Sequence, residues 1–209
     1  MAVFAGPKII DTSLVMHVNA TNSASYPGSG NTWFDISGQN NHLTLYNSPV
    51  FSNGVVQFNG TTQHADNNLN LSTGASTVIA ASRYSGAIRG RTITSKNNNW
   101  LMGHYGSPNT QSYYAEGWVT AGGPNDTSWR IYAGTSDTVS DTYSFYVNGV
   151  IIASNSSGVA GPNGISLAAY AGTNERSTCE VSFVLVYNRV LSPAEIQLNF
   201  EATRGRIGI

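Results

Sequence analysis

The feature that most constrains this chain is an apolar repeat of period two, set in short runs along its whole length. Leu14, Met16 and Val18 recur at every second position, as do Leu43 and Leu45, and Val56 and Phe58. An extended backbone turns successive side chains to opposite faces, so such runs make one face of a strand apolar. The same pattern predicts strands over residues 77–82, 91–94, 100–105, 113–120, 128–133, 143–147, 150–153 and 165–170. Strands spaced roughly 8–12 residues apart, with turn residues between them and no helical period interleaved, predict antiparallel sheets packed as a sandwich.

Two regions can be placed more closely. Asn148-Gly149 separates Phe145-Tyr146-Val147 from Val150-Ile151-Ile152, and Asn-Gly tolerates the two positive φ angles that a type I′ turn needs between right-twisted strands. Cys179 to Tyr187 is almost unbroken apolar sequence, with Cys179, Val181, Phe183 and Leu185 expected on one face and Val184 and Val186 on the other. Apolar residues on both faces predict a strand covered from both sides, near the middle of a sheet. One short helix follows, with Ser192 as its cap, Pro193 at the first helical position and Glu195 completing a capping box. Ile196 and Phe200 share its inner face, and Gly205 is expected to end it.

Composition narrows the function classes. Only 10% of the 209 residues are charged, Lys occurs twice and the net charge is -1. No basic surface is available for a phosphate backbone, and a nucleic-acid partner is not expected. The one cysteine, Cys179, can form no intrachain disulfide and sits among apolar neighbours, as a buried, inert thiol would. Residues 1–7 lack a basic start followed by an apolar core, and no apolar run reaches ~18 residues, so neither a leader nor a membrane-spanning helix is expected. The chain is expected to be soluble and made in the cytoplasm. No linker, charge run or repeat divides it, and residues 1–209 are expected to form one domain.

Four stretches, taken in chain order, carry a resemblance. The first joins Leu14-Val15-Met16-His17-Val18-Asn19-Ala20 to Ser25-Tyr26-Pro27-Gly28-Ser29-Gly30 and to Thr32-Trp33-Phe34-Asp35-Ile36-Ser37-Gly38-Gln39-Asn40-Asn41-His42-Leu43. The second is Val56-Gln57-Phe58-Asn59-Gly60 and the third Phe145-Tyr146-Val147-Asn148-Gly149. The last runs from Val186-Tyr187-Asn188-Arg189 through Leu191-Ser192-Pro193-Ala194-Glu195-Ile196 to Arg206-Ile207-Gly208-Ile209. Together they resemble the laminin-G-like jelly rolls of the concanavalin A-like lectin/glucanase superfamily, particularly those of tailed-bacteriophage structural proteins. The resemblance implies an all-β fold, an antiparallel two-sheet jelly-roll sandwich with one short C-terminal helix. Within the first stretch, Asp35 and Ser37 are expected to accept hydrogen bonds from backbone amides of a turn and Gly38 to supply a positive φ, while Trp33 and Phe34 plug the end of the sandwich. Where the family often has an acidic pair after its Phe-x-Gly element, this chain has Gln63-His64, so no calcium site is carried over.

The glucanases of that superfamily work with carboxylates two residues apart on one strand, because period two aims both at the same cleft. Glu116, Glu175 and Glu180 are isolated instead, and no catalytic residue or enzymatic activity is expected. His17, His42, His64 and His104 match no zinc spacing. Asp126, Asp137 and Asp141 lack the regular ladder of a calcium loop, so neither a metal nor another cofactor is expected. Aromatic faces remain, since Trp and Tyr either fill a core or stack on sugar rings and protein partners. Tyr113 and Tyr114 are adjacent, so on a strand they face opposite ways. With Trp118 they are the candidate surface-binding residues.

Two functions are expected on this footing. The phage-type resemblance implies a non-enzymatic virion protein, such as a capsid decoration or cement protein at the particle surface. Its partners would be major capsid or other virion proteins, with a homotrimer by analogy. The alternative, implied by lectin relatives, is a carbohydrate-binding module recognising host surface glycans through exposed aromatic platforms beside Asn and Asp side chains.

Overall fold

The computed structural model describes residues 7–106 and 109–209; Met1 to Gly6, read above for a leader, lie outside them. Among the described residues the strands are, in chain order, β1 (Leu14–Asn19), β2 (Thr32–Trp33), β3 (Leu43–Tyr46), β4 (Val50–Ser52), β5 (Val55–Asn59), β6 (His64–Asp66), β7 (Ala75–Arg89) and β8 (Arg91–Ser95). They continue with β9 (Trp100–Tyr105), β10 (Ser112–Ala115), β11 (Trp118–Thr120), β12 (Arg130–Asp137), β13 (Thr142–Val147), β14 (Val150–Asn155), β15 (Ile165–Leu167) and β16 (Ser177–Tyr187), and helix α1 (Pro193–Thr203) follows. The first sheet runs β14-β13-β12-β7-β16-β5-β4, with β1 also on β16, and the second runs β11-β10-β9-β8-β15-β6-β3-β2. Every pairing is antiparallel. The expected two-layer sandwich is therefore the fold.

The core between the sheets is built from alternate residues of both, among them Met16, Trp33, Phe58, Trp100, Met102, Tyr113, Tyr132 and Phe145. Tyrosines can be buried there because their hydroxyls find acceptors. Tyr113 donates to the Thr135 carbonyl at 2.9 Å, and Tyr132 to the Thr110 carbonyl at 2.6 Å. Trp33 plugs the end as expected, but Phe34, its neighbour on the opposite face, is 40% exposed and lies edge-on to His42. The turn after them is as the residue types imply. Asp35 Oδ1 accepts from the amides of His17 and Ser37, Oδ2 accepts from the Asn41 amide and the Ser37 hydroxyl, and Gly38 has φ 89°.

Strand β16 is central, with β7 on one edge and, on the other, β5 along residues 178–181 and β1 along residues 183–187. Its alternation differs from expectation. The register shifts between Val181 and Phe183, and this bulge adds one residue and reverses the side on which the chain continues. Cys179 and Val181 therefore share the inter-sheet core with Val184 and Val186, whereas Phe183, Leu185 and Tyr187 join a second apolar cluster on the outer face of the first sheet.

That second cluster is roofed by α1 through Ile196 and Phe200. The capping box forms: the Ser192 hydroxyl accepts from the Glu195 amide, and the Glu195 carboxylate accepts from the Ser192 amide at 2.8 Å. Gly205 does not end the helix. The chain tightens after Thr203 into a 3₁₀ turn, Arg204–Arg206, that contains Gly205, and the left-handed position falls at Gly208, φ 74°.

Other boundaries also move. Residues 113–120 are a hairpin, β10 and β11, reversed at Glu116, whose φ is 59°. Strand β7 continues to Arg89, β12 begins at Arg130 and runs on to Asp137, and β15 stops at Leu167, because Ala168 turns to φ 65°. The β13–β14 hairpin forms as read, with Asn148 at φ 51° and Gly149 at φ 79°.

Candidate functional site

Register fixes which residues of the second sheet face outward. Tyr113, Met102, Ile93, Leu167, Ala65 and Leu45 pair in succession across β10, β9, β8, β15, β6 and β3, and all lie in the inter-sheet core. The parallel row Trp118, Tyr114, Leu101, Thr94, Ser166, Asp66 and Thr44 is one position out of step and so points away from the core. At ~4.8 Å between strands this row crosses about 29 Å.

One end of the row is aromatic. Trp118 is 46% exposed, half-buried Tyr114 meets it edge-on at 4.9 Å, and Tyr105 lies 6.0 Å from it. Behind Tyr105 the buried Arg91 is 2.6 Å from the Glu175 carboxylate, and its guanidinium lies 4.4 Å from the Tyr170 ring centre. Tyr105 donates to Glu175 at 2.7 Å, and this bond, with burial, raises its phenol above the ordinary value. The loop carrying Tyr170 and Glu175 closes the middle of the row, where Ser166 donates to the Ala169 carbonyl at 2.6 Å.

The other end is a polar groove of about 330 Å³, lined by Asn41, His42, Thr44, Tyr46, Asp66, Asn68 and Lys96. Tyr46 is 37% exposed and stacked on His64, with centroids 4.3 Å apart. Lys96 donates to Asp66 at 2.9 Å and to the Asn68 side-chain oxygen at 3.0 Å. Burial lowers the His64 pKa, partly opposed by Asp66 3.7 Å away, so the stacked imidazole is mostly neutral near pH 7. A ring face beside a carboxylate, amides and an ammonium is the donor and acceptor set that holds hydroxyl groups.

Of the three candidate surface aromatics, Tyr114 and Trp118 come together at the open end. Tyr113 is the inward member of the adjacent pair, buried and hydrogen-bonded in the core. Tyr46, Asp66, Lys96, Tyr105 and Arg91 were not singled out from sequence, and Glu175, read there as an isolated carboxylate, is paired with Arg91 and Tyr105. The alternation Leu43-Thr44-Leu45-Tyr46 and His64-Ala65-Asp66 held the signal for the groove, because it puts Thr44, Tyr46, His64 and Asp66 on the polar side. Gln63 is a clamp, accepting from the Asn59 amide and donating to the Asn47 and Ser48 carbonyls. Asp126 is held by both guanidinium nitrogens of Arg130 at 2.7 Å, and Asp137 accepts from the amides of Val139 and Ser140. Among the described residues no three His, Cys, Asp or Glu side chains group as a metal cage, and no helix is long and apolar enough to cross a membrane. Cys179 is fully buried, and burial pushes its thiol up.

Two antiparallel eight-stranded sheets with a polar and aromatic outer face define a lectin-type sandwich. Residues 58–197 match the family model of the concanavalin A-like lectin/glucanases superfamily, and the chain belongs to that family. No curated protein matches the chain. Among solved structures it is similar to Trypanosoma rangeli sialidase, at 16% identity and TM-score 0.64, over 94% of this chain and 34% of that one. It is also similar to the binding domain of Paraclostridial Mosquitocidal Protein 1, at 15% identity and TM-score 0.66, over 91% of this chain and 52% of that one. The botulinum neurotoxin serotype D binding domain matches at 15% identity and TM-score 0.66, over 92% and 52%. The chain thus spans about a third to a half of these structures' length, and the likeness is one of fold.

Proposed function

We propose that this chain is a non-catalytic carbohydrate-binding module whose contact surface is the outer face of the second sheet. The observation that carries this reading is the two open ends of the outward row, stacking rings at Trp118 and Tyr114 at one and the Tyr46, Asp66, Asn68 and Lys96 groove at the other, with Leu101, Thr94 and Ser166 buried between them. The chain's likeness in fold to the receptor binding domain of a botulinum neurotoxin and to Trypanosoma rangeli sialidase in complex with sialic acid supports it. The carboxylates of the described chain support the absence of turnover. Glu175, Glu180, Asp66, Asp126 and Glu195 are each ion-paired. Asp126, Asp137 and Glu195 are held below the usual carboxylate range, mainly by hydrogen bonds, whereas a general acid needs a raised pKa.

A glycan array followed by calorimetric titration tests the reading. The wild type should bind at least one glycan class, and Trp118→Ala or Tyr46→Ala should weaken that binding about fivefold or more, since losing one stacking ring costs about 1 kcal/mol or more. Absence of wild-type binding across the array would end it. The phage-type resemblance supplies a further proposed setting, the surface of a virion made in a host cytoplasm, with capsid proteins as partners. Mass spectrometry of purified particles lacking this chain would sink that setting alone.

A further inference from the structure

The outer face of the first sheet carries a cavity that the proposed glycan face does not use. Its volume is about 290 Å³, and Gln57, Arg83, Trp129, Glu180, Arg206 and Ile207 line it. That volume lies just below the roughly 300–1,000 Å³ typical of small-molecule sites, enough for one ring-sized ligand.

The charges in the cavity do not balance. Arg83 lies 2.7 Å from one oxygen of Glu180, and Gln57 donates to the other at 2.9 Å, so that carboxylate is fully engaged and Arg83 is neutralised. Every other described arginine gives its guanidinium an acceptor: Arg89 at Asn125, Arg91 at Glu175, Arg130 at Asp126, Arg176 at a backbone carbonyl, Arg189 at Glu195 and Arg204 at Glu201. Arg206 has none, and its Nη1 is buried without a partner. Its guanidinium rests 5.5 Å from the Phe183 ring centre, and burial lowers its pKa. His17, whose Nε2 is also buried without a partner, is held at about 4 by burial and then by the Arg206 charge, so it adds no second cation at neutral pH.

We propose that this cavity binds a ring-bearing monocarboxylate of monosaccharide size, with its carboxylate on Arg206 and its ring against Trp129 and Ile207. A guanidinium fork matches a carboxylate in two parallel bonds. One unpaired positive charge calls for one negative charge, since Arg83 and Glu180 already offset each other. The site is independent of the glycan face, since the whole inter-sheet core lies between them.

Titration of the wild type with sodium glucuronate and sodium benzoate, with glucose as the neutral control, tests the site by ¹H–¹⁵N NMR. Saturable shifts of the Trp129 indole N–H with at least one of the acids, and none with glucose, are expected. Arg206→Gln should weaken that binding at least tenfold, Arg206→Lys should recover part of it, and Trp118→Ala should leave it unchanged. Neither acid perturbing Trp129, glucose acting as well as the acids, or full affinity in Arg206→Gln would overturn the proposal. If Arg206→Gln loses its cooperative unfolding transition, the wild-type footprint decides alone: shifts confined to Trp129 and its neighbours support the site, and shifts absent there overturn it.

Discussion

At the residue scale, the polar groups fall into those whose bonding is set mostly by one short stretch and those completed only between distant parts of the chain. Asp35 serves four donors from its own turn and from β1, among them the amides of His17 and Asn41. Asp35→Ala leaves buried N–H groups without an acceptor, at a cost of about 2–3 kcal/mol. For a chain of this length a fall in Tm of roughly 5–10 °C is expected by calorimetry. This role was legible because Asp, Ser, Gly and Asn within a few residues admit few arrangements. The Arg91 cluster was not, because Glu175, Tyr105 and Tyr170 come from separate parts of the chain and meet only after β8, β9 and the loop beyond β15 are in place. Local residue types encode local bonds, and an ion pair between a strand and a distant loop leaves no mark in either neighbourhood.

At the scale of elements, the sequence was most informative where a capping motif or turn dipeptide has one good solution. The box at Ser192 and the Asn148-Gly149 turn were both readable in this way. Ser192→Ala removes the acceptor of the Glu195 amide at the start of α1 and should cost about 1 kcal/mol. The expected drop in Tm is roughly 2–4 °C, and unchanged unfolding in that variant would show that the box contributes nothing measurable. Boundaries failed where an uncommon residue takes a positive φ. Glu116 reverses the chain between β10 and β11, although Glu is not a usual left-handed residue, and Ala168 does the same after β15. Strand β7 was read only over residues 77–82, and Gly86 lies in the part beyond that reading. That glycine is there for contact: a Cβ would come within 2.6 Å of the Thr178 side chain. The candidate face was half legible, since alternation marks the outward residues but not which strands neighbour each other.

For the whole molecule, burial of histidines makes stability depend on pH. His17 and His104 are held at about 4 and about 3, both chiefly by desolvation, below the 6.5 of an unfolded chain. Across that interval the unfolded state binds more protons, so their contribution is complete above pH 6.5 and is lost progressively as pH falls toward 4 and then 3. Glu195, lowered from 4.5 to about 2 with Arg189 as the largest cause, extends the loss from about pH 4.5 downward. Calorimetry at constant ionic strength should give a Tm that falls steadily from pH 7 to 4, and a His17→Gln, His104→Gln double variant should flatten the decline between 6.5 and 4.5. An equal slope in the double variant would show that other groups govern it. The bulge in β16 also acts at this scale. A uniform strand can slide by two residues along its neighbours and still offer each layer the correct side chains, but a strand with one misfit residue seats at a single position, like a detent. Because β1, β5 and β7 are all aligned on β16, the buried Ser182 blocks lengthwise shear for the entire sheet.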